Sequence, residues 1–520
     1  MQFTLTTPDY GVLCLYFIAL FMTGFYLNRY NRSAGRDIFL GGRSLRWWQI
    51  GFSMFSANAG PSMLVGFASI GFTQGVVGSN FEWLAWAFLF LLSMFFLPHY
   101  ISTKVSTMPQ FLLVRFGKPS YNFLVIYSLI SILVVWLGSA LYAGGLIISQ
   151  VFGISLLHAV LTIAVIAASF TAVGGLKAVV RTGIFQSLII ILSSIILGWL
   201  ALKKIGGIHA FAQGAPADYW KLFRPASDPQ YSWVAILLGY PVVGIYYWCT
   251  DQTIVQKVLA AKDVREGQYG AIFISFLKII MPFIFIFPGI MCFVLYRDIA
   301  QPDNAYITLV SQVMPHGLLG LCIAALIAAL IDTISSGLNS FSTVFTLDVL
   351  SRVREMDDLA KRRTGQWSTL LAAVLAVGVA WLFSLSGKGF FELSQGLVSI
   401  LAPPLSVVFV GGISWKRVNK TAAEVVLYGG GLVCLLVGAC HVLNFPSKAF
   451  WPHFLLLSFY LFLAMLIVLI GVTLCTKPPT KNVLPSIMES WKERAPGSKR
   501  VWVLWVLLAL VMGAIYIYFS

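Results

Sequence analysis

The stretch FSANAGPSML, Phe55 to Leu64, lies in the middle of an apolar run over 46–74 and sets Gly60 and Pro61 side by side. Proline inside a helix removes a hydrogen bond and clashes with the preceding turn, so a helix through this run is expected to break here. A second run, 232–250, leads into LLGYPVVGIYYWCTDQ, with Gly239, Pro241 and Gly244 in a comparable place. Taken singly, each interruption reads as a kink, because Gly and Pro are common in membrane helices. Taken together they say more. Interrupted segments at matching positions of two halves point to a binding site at the midplane of an inverted-repeat transporter. Unwound backbone survives in a bilayer only where protein or a water-filled cavity surrounds it.

The rest of the chain supports the membrane setting. Of 520 residues, 59% are hydrophobic and 10% charged, against about 25% charged in soluble domains; the mean hydropathy is +0.86. Fourteen apolar runs near the ~20 residues that span a bilayer are expected at 10–28, 46–74, 80–98, 121–151, 154–173, 177–202, 232–250, 268–296, 314–350, 366–385, 389–414, 421–443, 451–475 and 501–519. No basic segment precedes the first run, so it reads as a span and not a cleaved signal peptide. The net charge of +16 is topological. With both termini outside, the inward connections hold 27 of the 35 Lys and Arg and the outward ones seven, with Lys278 inside a span. This is the positive-inside pattern, and it argues against nucleic acid as a partner. The seven cysteines lie in or beside spans without CxxC or Cys/His spacing, so neither a disulfide framework nor a zinc site is indicated.

Polar residues inside the spans carry the chemistry. In AALIAALIDTISSGLNSFST, Ala324 to Thr343, an apolar helix receives Asp332, at about 2.5–3.5 kcal/mol on insertion scales. Asp332 is either an ion ligand or a structural charge. Its own helix offers no base within a turn, and Ser336, Ser340 and Thr343 continue a polar stripe at helical spacing. Lys278 lies too deep to snorkel easily and reads as a substrate contact or as a charge partner of Glu82. Glu82 in turn could simply favour a helix N-terminus, and Gln395 could hydrogen-bond between helices. Asp251 and Asp348, near the inner ends of their spans, read as structural or gating.

The motifs FLGGRSLRWWQIGFSMFSAN, FEWLAW, TMPQFLLVRFG, GGLKAVV, YYWCTDQTIVQKVLAAKD, FLKIIMPFIFIFPGIM, LNSFSTVFTLDV and LAPPLSVVFVGGISWKRVN closely resemble the sodium/glucose cotransporter branch of the sodium:solute symporters, from about Gly41 to Asn419. The resemblance implies an all-α polytopic membrane protein with a LeuT-type five-plus-five inverted repeat, alternating access and sodium-driven uptake of sugars or polyols. On it, 1–45 holds an extra N-terminal helix and inner loop, and 46–205 the first repeat. An outer loop follows over 206–231, then the second repeat over 232–414 and three peripheral helices over 415–520.

The family's sodium site falls on Ser56, Ala59, Ala329, Asp332 and Thr333: three backbone carbonyls and two side-chain oxygens. Asp332 stands where the family normally has serine, and Gly183 stands where it usually has an acid on core helix 5. The resemblance therefore suggests a carboxylate moved between helices and leaves a second sodium in doubt. Asn58, Glu82, Lys278, Gln395, Tyr247 and Trp248 match the sugar-binding pattern, while Met63, Ala85, Trp136 and Gly244 replace other polar contacts. Losing such contacts changes which hydroxyls are read, so sugar or polyol is the expectation and not glucose or galactose in particular. Trp136 is also read more simply as a packing residue lining the cavity. A monomer in the plasma (cell inner) membrane suffices.

Other readings stay open on these residues. They are a carrier of nucleosides, organic anions or amino-acid-like solutes, proton coupling through Asp332, and a sensor or ion-conducting relative. The chain stops at Ser520 just after a span, which argues against an appended signalling domain. An enzyme is disfavoured, since no HExxH, GxSxG or Walker motif occurs.

Overall fold

The computed structural model describes residues 5–31, 39–385, 390–447, 450–479 and 499–520, and every regular element among them is a helix. Eleven of the described helices are long and apolar enough to cross a membrane, and Thr7–Met22 and Leu156–Ala172 are shorter apolar helices. The difference from fourteen has a physical source. The run 46–74 is split into helices of 12 and 14 residues, each too short to cross ~30 Å alone at ~1.5 Å per residue. The second continues through Gly75–Ser79 into the segment expected at 80–98.

The centre is built from α1 (Thr7–Asn31), α2 (Trp47–Asn58), α3 (Pro61–Gln74), α4 (Asn80–Trp83), α5 (Leu156–Ile205), α6 (Trp233–Ile245), α7 (Gln252–Leu259), α8 (Val264–Leu295), α9 (Leu318–Val344) and α10 (Phe390–Ser414). α9 buries every residue from Cys322 to Val344, its apolar first half and its polar second half alike, and it packs on α1, α2 and α5. Outer helices such as Phe454–Cys475 and Lys499–Tyr518 instead expose leucine, isoleucine and valine, a surface suited to lipid. α5 spans the two runs expected at 154–173 and 177–202, and bends between them at Gly175 (φ 57, ψ −162), a left-handed conformation that glycine adopts without steric cost.

The first interruption falls where expected. α2 ends at Asn58, and Ala59 (φ −73, ψ 45) and Gly60 (φ −78, ψ 171) leave helical geometry. Pro61 then opens α3 at its first position, where the missing N–H would have had no partner. The second interruption does not lie around Pro241. Pro241 stays inside α6, helical turns continue through Thr250, and the chain becomes extended at Asp251 (φ −67, ψ 129). The glycines there serve close packing instead. A Cβ on Gly239 would collide with the Leu455 carbonyl, and one on Gly244 would sit 2.5 Å from the Phe88 ring. The Ser406 hydroxyl of α10 donates to the Val242 carbonyl (2.8 Å), tying α10 to α6 beside the proline.

Candidate functional site

The break between α2 and α3 opens on a cavity of about 90 Å³. Of the eight expected solute contacts, Asn58, Met63, Glu82, Trp136, Tyr247, Trp248 and Gln395 line it, together with Thr333. Lys278, on α8, stands just behind the wall. Its ammonium donates to Glu82 Oε2 at 2.5 Å and to the Asn58 side-chain oxygen, and lies 4.6 Å above the Trp248 ring. Both charges are almost fully buried, at 1% and 2% exposure. Lys278 is thus the charge partner of Glu82 and holds two cavity-lining polar groups at once. Glu82 sits in the first turn of α4, as its sequence position suggested, but its carboxylate is committed to this ion pair.

Asn58 passes the network on, donating from Nδ2 to the Tyr247 hydroxyl (2.8 Å). Tyr247 stacks on Trp136 (centroids 5.5 Å apart, planes at 20°) and meets Trp248 edge-on at 5.0 Å. Trp136 also donates from Nε1 to Asp251 (3.2 Å). Asp251 caps α7 by accepting from the backbone N–H groups of Thr253 (2.8 Å) and Ile254 (3.3 Å). Trp136 therefore does more than pack, because it joins the cavity wall to the second helix break. Asp348 lies away from the cavity, where it accepts from Gln110 (2.9 Å) and Tyr121 (3.1 Å).

Four of the five residues expected to hold a cation, Ser56, Ala329, Asp332 and Thr333, lie where α2 and the break after it pack on α9, and Ala59 stands in the break itself. The Thr333 hydroxyl donates to the carbonyls of Ala329 (2.9 Å) and Ala57 (3.2 Å). A Cβ on Gly60 would lie 2.7 Å from that hydroxyl, so the glycine is what lets the break approach α9. Asp332, the residue before Thr333 on α9, faces Ser56 and Gly183. It is 1% exposed, and among the described residues neither carboxylate oxygen has a hydrogen-bond partner; the Ser56 hydroxyl beside it donates to the Ser53 carbonyl. A Cβ added at Gly183 would stand 2.5 Å from Ser56 Oγ and 2.9 Å from Asp332 Oδ1. The carboxylate of α9 thus occupies the space a side chain at 183 would claim. Gly183→Asp is accordingly expected to destabilise the protein by several kcal/mol, since it buries a second like charge. Gly183→Asp combined with Asp332→Ser should recover most of the loss, as read by melting temperature in detergent. A double variant no more stable than Gly183→Asp alone would contradict this exchange.

Two buried basic residues, Lys257 and Arg115, are absent from the expected site residues. Lys257, on α7, is 1% exposed and donates to the Ser53 carbonyl (2.9 Å) and the Ser336 hydroxyl (3.2 Å). From sequence it counts as one of the positive-inside loop charges, as does Arg115, which is 9% exposed and donates to the Gly412 carbonyl (2.8 Å). Lys257 lies in the stretch QTIVQKVL, whose eight residues are all buried in the fold.

Helix breaks flanking a polar cavity, beside a buried carboxylate and hydroxyl on a membrane helix, define a secondary transporter. The chain belongs to the sodium:solute symporter family, whose profile matches residues 38–430. It is 31% identical to the sodium/myo-inositol cotransporter 2 of Bos taurus over 92% of this chain and 78% of that one. It is 30% identical to the sodium/glucose cotransporter 4 of Danio rerio over 96% and 83%. The fold is similar to that of a Na+-coupled sialic acid symporter solved substrate-bound and outward-open, with a TM-score of 0.80 and 22% identity over 92% of this chain and 100% of that one. The protein is therefore a membrane transporter of a family that couples solute movement to sodium.

Proposed function

We propose that the protein imports a small polyhydroxylated solute, a sugar or polyol, together with sodium by alternating access. The observation that carries this is the wall of the cavity. Asn58, Glu82 and Tyr247 present a hydrogen-bonded polar frame fixed from behind by Lys278, and Trp136 and Trp248 add aromatic surface to it. A hydroxyl-rich solute leaving water needs its hydrogen bonds replaced, and such a frame replaces them. The named relatives, cotransporters of glucose and myo-inositol, agree with that cargo.

On this reading 46–205 and 232–414 are the two inverted repeats among fourteen spans, the latter including the short helices at the first break. The termini face outward in the plasma membrane. Sodium is held by the carbonyls of Ser56, Ala59 and Ala329 with the oxygens of Asp332 and Thr333, hard ligands suited to a hard cation. Because Thr333 also lines the cavity, ion and solute share a wall, which gives a direct route for each to favour the other's binding.

The test is a thermal-shift screen of the purified protein against stereoisomeric sugars and polyols, with sodium and with choline. A ligand of the folded state stabilises it by mass action, by about 2.7 kcal/mol at 100 times Kd, and so raises the melting temperature. Selected sugars or polyols are expected to stabilise more strongly in sodium. Stabilisation by nucleosides or amino acids alone would move the cargo to another class. Met63→Gln adds an amide to the wall and should reorder preference within the panel.

A further inference from the structure

We propose that the ammonium of Lys257 takes the place of a second cation beside Asp332, so that the protein binds and carries one sodium per solute. This rests on the reading of Asp332 as part of the sodium site. Lys257 is held by two neutral oxygens, the Ser53 carbonyl at 2.9 Å and the Ser336 hydroxyl at 3.2 Å. Such oxygens are what a hard cation would select. Ser53 lies about one turn before Ser56 on α2, and its carbonyl also accepts from the Ser56 hydroxyl (3.3 Å). Ser336 lies one turn after Asp332 on α9. The ammonium therefore fills an oxygen cage built from the same two helices as the proposed sodium cage, displaced by one turn along each.

Charge fixes the count. Among the described residues, Asp332 and Asp251 are the carboxylates whose field reaches Lys257, and neither is among its hydrogen-bond partners. Asp251 is already engaged by Trp136 and by the N–H groups of Thr253 and Ile254. Among the described residues no donor closes a hydrogen bond to either Asp332 oxygen. Nearby, Glu82 and Lys278 cancel as a pair. One fixed cation against two buried carboxylates leaves one negative charge, which a single sodium neutralises. A second sodium would leave buried positive charge without a partner, which a low-dielectric site opposes. A Lys257 serving only as a structural partner would be expected to contact the Asp332 carboxylate, and here it leaves that carboxylate open to an ion.

The experiment is equilibrium binding of 22Na+ to the purified full-length protein, counted per chain. The wild type should bind one sodium with a Hill coefficient near one. Lys257→Met frees the Ser53 and Ser336 oxygens and a negative charge, and should bind two. Lys257→Arg keeps the fixed cation and should stay at one. Two sodium ions on the wild type, or one on a folded Lys257→Met chain, would overturn the role of Lys257. Should Lys257→Met not fold, Lys257→Gln replaces it, and the wild-type count of one or two still decides. No specific sodium binding to the wild type would instead overturn the sodium reading of Asp332.

Discussion

Lys278→Met is expected to cause the largest loss of stability of any single change at the cavity. The substitution keeps an unbranched apolar stem of similar bulk but leaves the Glu82 carboxylate, 2% exposed, with no cation. Breaking a buried ion pair from one side typically costs about 3–5 kcal/mol, because the remaining charge is uncompensated. The contacts to Asn58 and to the Trp248 ring disappear with it. Lys278→Met with Glu82→Gln removes both charges and should recover most of the melting temperature. It should not recover uptake, since the frame that orients Asn58 and Tyr247 is gone. Full uptake by the double variant would show that Lys278 and Glu82 serve the fold alone.

The second large effect is expected at Asp332. Asp332→Ala removes a charged ligand and leaves Lys257 facing only Asp251, so sodium-coupled uptake should be lost. A charged hydrogen-bonding contact is worth about 1.5–3 kcal/mol, so sodium affinity should fall roughly 10- to 100-fold or more. Asp332→Ser supplies a neutral oxygen and should retain part of the coupling at reduced affinity. Asp332→Asn keeps the size without the charge and should fall between the two or fail. The series is read as the sodium concentration giving half-maximal uptake. Equal sodium dependence in wild type and Asp332→Ala would remove Asp332 from the ion site.

Much of this was legible in the sequence because membrane constraints write strongly. The break at Ala59–Gly60 follows from Gly60-Pro61, where proline chemistry and the need for close approach to Thr333 coincide. The second break was misplaced because Gly239, Pro241 and Gly244 carry the same signature while doing a different task. The glycines make room for Leu455 and Phe88, and the proline is tolerated inside α6. The actual break at Asp251 is marked by an N-cap, and an aspartate just after an apolar run reads equally well as a loop residue. Lys257 and Arg115 were hidden for a related reason. Topology reads basic residues by their position between spans, and only packing shows that these two are buried. The pairing of Lys278 with Glu82 was one of two readings open in the sequence, and the structure gives it a 2.5 Å contact. The proximity of Gly183 to Asp332 depends on how α5 and α9 pack, which no local pattern encodes.

The central claim, that sodium held at Asp332 and Thr333 drives solute uptake, is tested most directly in proteoliposomes with sodium and proton gradients imposed separately. Uptake of a sugar or polyol identified by thermal shift should require the inward sodium gradient. It should also rise with an inside-negative potential, each charge gaining about 2.3 kcal/mol per 100 mV. Uptake driven by a proton gradient in sodium-free buffer, and abolished in Asp332→Asn, would contradict the account.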